Sequence, residues 1–295
     1  MVARHGAGNN GGLKARQRGS VMATMAEKFV RRESRTDLLT GTPRAHALDR
    51  WIFVFMAAWF IAIVLAGFIP DSIDKVAAVR AGERPPFPLV LHFHAVLMGS
   101  FLLLLFTQTW LMATGRRAYH MQIGVLGFLL AGALVVVGFI LVPTNYHLLW
   151  DAANSGAPGA AEKFGTALNI WENIMLLQIR IGILFALFLI IGARARQGNS
   201  GLHKRMMILA TVMALPAGID RIPWLPHTMP QSPLSVDLYV LAAIAPMFLW
   251  DVVRNRRVHE AYLIWAAVCL PLAVLVNLLW DTPAWHATAR GLMGV

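Results

Sequence analysis

Seven apolar stretches separated by polar turns organise this chain. Each is close to the twenty residues a helix needs to cross the hydrocarbon core of a bilayer. They run over 51–70, 87–113, 121–143, 168–193, 206–224, 236–252 and 261–280. The sixth is short, and Pro216 and Gly218 interrupt the fifth. The pattern predicts an all-α, polytopic membrane bundle of seven transmembrane helices. Residues 1–47 are polar, basic and rich in Gly and Ser, and are expected to be a disordered cytoplasmic tail. They lack the compact apolar core of a signal peptide, and Met22 or Met25 would serve as a start as well as Met1. Residues 48–282 form the predicted transmembrane domain, and 283–295 a short periplasmic tail.

The outer loops, 71–86 and 144–166, are the long ones, whereas the turns on the other side are short and alike. Each short turn sets basic residues beside a histidine: Gly115-Arg-Arg-Ala-Tyr-His120, Gly201-Leu-His203-Lys-Arg205 and Arg256-Arg-Val-His259-Glu260. The repetition suggests a thrice-used helical hairpin with the first span added in front. Helix entry at headgroup depth is the plain reading of His120, His203 and His259. If the turns converge, they make an inner site for an anion or a quinone.

Charge orients the bundle. Of the 26 Lys and Arg residues, nineteen fall in the tail and the short turns, six fall on the other side, and Arg180 lies within the fourth span. By the positive-inside rule the N-terminus is cytoplasmic and the C-terminus periplasmic. The net charge of +11 is therefore a topology signal and argues for no nucleic-acid partner. Composition agrees: 57% of residues are hydrophobic, 14% are charged, and the mean hydropathy is +0.59. A soluble domain carries about 25% charged residues. The expected location is a bacterial inner membrane, with the lipid bilayer as the first partner. A single cysteine, Cys269, excludes an internal disulfide and paired-cysteine metal motifs. The last span has no lysine for a retinal Schiff base, and the chain has neither a phosphate-binding P-loop nor an H-E-x-x-H motif.

Polar groups at membrane depth are expensive and mark function by default. They concentrate on the expected outer side: His92 and His94, His147, Asn169, Glu172 and Asn173, Arg180, Asp220 and Arg221, and Asp237. Steps of three, four and seven share a helix face, so His94, Met98 and Gln108 form one stripe and Asn169, Asn173 and Arg180 another. Glu172 or Asp220 is the expected partner of Arg180. The candidate cofactor pocket comprises His94, His92, His147, Glu172, Asn173, Arg180, Asp220 and Arg221. His94, His92, Glu172 and Asp220 are its candidate metal ligands. Histidine with carboxylate suits copper, zinc or iron, and histidines on different helices suit haem b. A quinone gripped by His, Asp and Arg, a proton path, and a structural ion-pair network are the other readings. By class, the choices are a redox or metal-handling protein, a scaffold or assembly subunit of a respiratory-type complex, and a transporter of a small or lipophilic solute.

Two stretches carry a resemblance. The first is His94-Ala-Val-Leu-Met98 with Gln108, Gly115-Arg116, His120 and Ile123-Gly124. The second is His203-Lys204-Arg205-Met206-Met207 with Ala210-Thr211 and Asp220-Arg221. Together they resemble an uncharacterised family of bacterial multi-pass membrane proteins with histidine-led helices, over about spans two to five. That family is distantly similar to membrane proteins of cytochrome oxidase assembly. Met121 follows His120 where the family pattern has an arginine, which weakens an inner anion site there.

Overall fold

The computed structural model describes residues 37–40 and 46–295. The rest of the predicted tail, 1–36 and 41–45, lies outside the described residues. The described chain is helical and contains no strand. A 3-10 turn at Leu38–Thr40 precedes α1 (Ala47–Arg80), α2 (Leu89–Ala113), α3 (Arg117–Ala153) and α4 (Ala160–Ala195). Then come α5 (Ser200–Val212), the single turn α6 (Pro216–Ile219), α7 (Leu234–Asn255), α8 (Glu260–Leu279) and α9 (Pro283–Met293). Six of these helices, α1 to α4, α7 and α8, are long and apolar enough to cross a membrane. Their outward faces carry exposed Leu89, Phe139 and Leu278, as lipid-facing surfaces do. The architecture is that of a multi-pass membrane protein.

The fifth apolar stretch is built differently. It splits into α5 and α6, and neither piece is long enough on its own to count as a span. Yet α5 is the centre of the bundle: Met206, Ile208, Leu209, Ala210 and Val212 are fully buried. Pro216 cannot donate a backbone hydrogen bond, which forces the break. Tight bonds between residues three apart carry the chain across it, from Met213, Ala214 and Leu215 N–H to the Ala210, Thr211 and Val212 carbonyls at 3.0–3.2 Å. Gly218 and Ile219 N–H both return to the Leu215 carbonyl, at 2.8 and 2.9 Å, so most of the freed donors are met inside the bundle, as irregular chain at this depth requires. Glycine makes the packing possible here. A Cβ on Gly67 of α1 would lie 1.9 Å from the Gly218 carbonyl oxygen of α6, so the two backbones touch.

The two ends of the bundle are closed by parts the sequence assigns to tails. Residues 37–40 are docked, with Asp37 and Leu39 buried. At the opposite end, residues 283–293 form an amphipathic helix whose Trp285 and Ala289 are buried. Thr282 caps that helix by accepting the Trp285 N–H at 3.2 Å, and Pro283 suits its first turn.

Candidate functional site

Polar side chains collect at three levels along α4, whose axis rises about 1.5 Å per residue. Glu172 stands near its start, Arg180 in the middle, and Gly192 near its end.

At the first level Glu172 is fully buried. Its Oε1 accepts from Tyr146 Oη at 3.0 Å and Arg290 Nε at 2.8 Å, and its Oε2 lies 2.6 Å from His286 Nδ1. Trp285 Nε1 donates to its backbone carbonyl at 2.8 Å. The neighbouring Asn173 exchanges two bonds with Asp281, donating to the carboxylate at 3.2 Å and accepting the Asp281 N–H at 3.0 Å. His286 Nε2 completes the ring at 3.1 Å from Asp281. Hydrogen bonds from His286 and Asn173 hold the Asp281 carboxyl below its ordinary value, and the bond to Glu172 raises Arg290. Glu172 is thus the socket for α9. Sequence reasoning flagged Glu172 and Asn173 but missed His286 and Arg290, because 283–295 reads as a tail. The readable signal was Thr282-Pro283 ahead of Trp285, His286, Ala289 and Arg290, a capped helix with a three-four repeat.

At the second level Arg180 pairs with Asp237 of α7 at 2.7 Å. The expected partners, Glu172 and Asp220, do not take it. Glu172 is engaged by α9, and Asp220 stands half-buried at the end of α6. Arg221 turns to Asp71 at 3.3 Å and lies over the Phe68 ring at 4.9 Å. His92 is exposed, edge-on to Phe87 at 6.2 Å, and His147 is half-buried against Tyr146 at 6.0 Å. His94 points its Nδ1 into the protein, where the atom has no hydrogen-bond partner. The eight residues read as one pocket therefore separate into several environments. Among the described residues no three His, Cys, Asp or Glu side chains converge as a metal site.

At the third level lie the groups read as plain helix-entry residues. His120 and His203 face one another with ring centroids 6.4 Å apart and planes at 79°. His203 Nδ1 sits 2.8 Å from the Gly192 carbonyl and His120 Nδ1 3.4 Å from the Gln108 carbonyl. A carbonyl only accepts, so His203 carries its proton on Nδ1 and leaves the Nε2 lone pair free.

Beside this pair, Arg205 is fully buried and forked between two carboxylates. It meets Asp251 at 2.5 and 2.9 Å and Asp37 at 2.7 and 3.1 Å, and also donates to the Gly201 carbonyl at 3.0 Å. A Cβ on Gly201 would fall 2.7 Å from Asp37 Oδ2, so glycine is what lets the docked segment approach. Asn255 bridges the carboxylates, donating at 3.1 Å to Asp37 and 2.7 Å to Asp251. Asp49, also fully buried, is held by Arg254 at 2.8 Å and Trp250 at 3.0 Å.

His259 caps α8 by accepting the Ala261 N–H on Nδ1 at 3.1 Å. Burial, then the nearby Arg205 charge, push this imidazole down to about 4 from 6.5. The folded value lies below the unfolded one, so its contribution is full above about pH 6.5 and is lost as pH falls toward 4. The thermal midpoint of the detergent-solubilised protein should therefore drop between pH 7.5 and pH 5. His259→Asn, which retains a capping oxygen, should flatten that drop. An equal drop in the variant would assign the acid sensitivity elsewhere.

No family model, curated protein or solved structure matches this chain.

Proposed function

We propose that this is a seven-crossing bacterial inner-membrane protein, with its N-terminus in the cytoplasm, that holds a haem-type redox cofactor between His120 and His203. The Lys and Arg asymmetry supports that orientation. The fifth crossing is α5, the break and α6 together: residues 200–219 span about 30 Å at 1.5 Å per residue.

The observation that carries the cofactor reading is the His120–His203 pair, with rings 6.4 Å apart, His203 Nδ1 against the Gly192 carbonyl and His120 Nδ1 against the Gln108 side-chain amide. Anchoring Nδ1 on a carbonyl, as His203 does, and fixing the ring by a neighbouring amide, as at His120, is how ligating histidines are oriented. A bare ion needs three or four protein ligands, and two are present. A haem carries four nitrogen donors of its own, so His120 and His203 would be enough to hold it, and it would supply one-electron redox chemistry there. The arginines favour the same choice. Arg117 acts on His120 and Arg196 on His203. They oppose a naked dication and suit the carboxylate side chains of a haem.

A second reading places the ligand at His94, on the strength of its buried, partnerless Nδ1. Absorption spectra of the purified protein separate the two. Wild type should show a Soret band, and His120→Ala and His203→Ala should each abolish it while eluting as folded protein on size exclusion. His94→Ala should retain it. Loss only in His94→Ala would transfer the cofactor to the other end, and colourless wild-type protein would remove the haem reading altogether.

A further inference from the structure

Among the described residues, the other buried side-chain nitrogens without a partner are Arg180 Nε and Trp265 Nε1. Both residues are 95% buried, and both line the same small cavity, of about 40 Å³, where α4, α7 and α8 meet the break after α5. Orphaned N–H groups at this depth are rare in folded proteins and call for an acceptor. Two such donors on residues that line one cavity describe an occupant that accepts hydrogen bonds through oxygen.

The cavity walls say what carries that oxygen. Besides Asp237 they are apolar, with Val240, Leu241, Cys269 and Leu270 among them. Leu241 and Leu270 are also exposed on the outer surfaces of α7 and α8, so the cavity adjoins the face that meets lipid. A ligand arriving there is lipid-soluble. Its accepting oxygen is neutral, because the Asp237 carboxylate already occupies Arg180 at 2.7 Å and repels a second anion. The volume admits a carbonyl tip, and the rest of such a molecule would extend toward the exposed faces of α7 and α8 that Leu241 and Leu270 mark.

We infer that the Arg180–Trp265 cavity is a binding site for the carbonyl oxygen of a lipid-soluble quinone. The site is independent of the His120–His203 pair. Gly192, which anchors that pair, lies twelve residues further along α4, about 18 Å away.

The test is equilibrium binding of a tritiated short-tailed benzoquinone to the full-length protein in phosphatidylcholine nanodiscs, with haem content outside the readout. Saturable one-to-one binding is expected. Trp265→Phe keeps the ring and loses one donor, and should weaken binding about tenfold, the worth of one hydrogen bond of ordinary strength. Arg180→Lys keeps the charge opposite Asp237 and loses Nε, and should do likewise, so the inference survives a folding failure of either variant. Absence of saturable binding would mean that water alone fills the cavity. Displacement of the quinone by equimolar palmitate would reassign the site to carboxylates. Wild-type affinity in the folded variants would place the quinone elsewhere. Each of these three results overturns the inference.

Discussion

Arg205→Ala is expected to cost about 3–5 kcal/mol, because it strands the Asp37 and Asp251 carboxylates in the interior. Neither carboxylate has more than 3% of its side chain exposed. A protein of ordinary stability, about 5–15 kcal/mol, would be left close to its unfolding threshold. Heating followed by size exclusion should show the midpoint collapse, and little folded protein should be recovered. Arg205→Lys should fail almost as badly. An ammonium cannot fork to two carboxylates at once, whereas the guanidinium makes four contacts with them. A wild-type midpoint in Arg205→Lys would show that charge alone, without the planar fork, holds this end together. Acid should act here only at the extreme. Burial alone would raise the Asp37 carboxyl, but the Arg205 hydrogen bonds and charge reverse that and hold it well below the usual carboxylate range. Its contribution is thus complete at neutral pH and lost only as pH falls through that depressed value.

The second large effect is expected at the other end. Ending the chain after Thr282 removes Trp285, His286 and Arg290 together. Glu172 then keeps Tyr146 as its remaining side-chain partner, and the buried carboxylate is uncompensated. A loss of several kcal/mol follows, comparable to breaking a buried ion pair. Glu172→Gln isolates the electrostatic part. It keeps the shape and removes the charge that His286 and Arg290 address. Arg290 is 45% exposed, so solvent screening tempers the loss at that contact. The bound state of α9 should weaken, and hydrogen exchange across residues 283–293 should accelerate about 10- to 100-fold while that of α5 stays unchanged. Unchanged exchange in α9 would show that Trp285 and the apolar face, not Glu172, hold this helix.

Helix lengths were legible in the chain, because a run of twenty apolar residues is a local signal that nothing else imitates. Six of seven stretches became helices long enough to span. The fifth was legible as interrupted but not as central, since which helix others surround depends on contacts far apart in sequence. Site reasoning met the same boundary. Depth follows from position along a span, so Glu172, Arg180, Asp220 and His94 were legible as polar groups within the apolar stretches. The direction in which each faces around the bundle does not follow, and that is why Arg180 meets Asp237. The docked end at Asp37 had no signal, because a lone aspartate in a basic, low-complexity stretch looks like any other. His120 and His203 were visible as a repeated feature of the turns. Their approach across α3 and α5 could be seen only in three dimensions.

The spacing of the ion pairs along the chain bears on how the protein is made. Asp37 waits 168 residues for Arg205, and Asp49 waits 205 for Arg254. At about 5–20 residues per second, the ribosome takes some 10–40 s to supply the second cation. During that interval the first helix enters the insertion machinery with an uncompensated carboxylate in its opening turn. Closing the Asp37 and Asp49 pairs is therefore a late event of biogenesis. The Glu172 socket is filled later still, when the final helix leaves the ribosome.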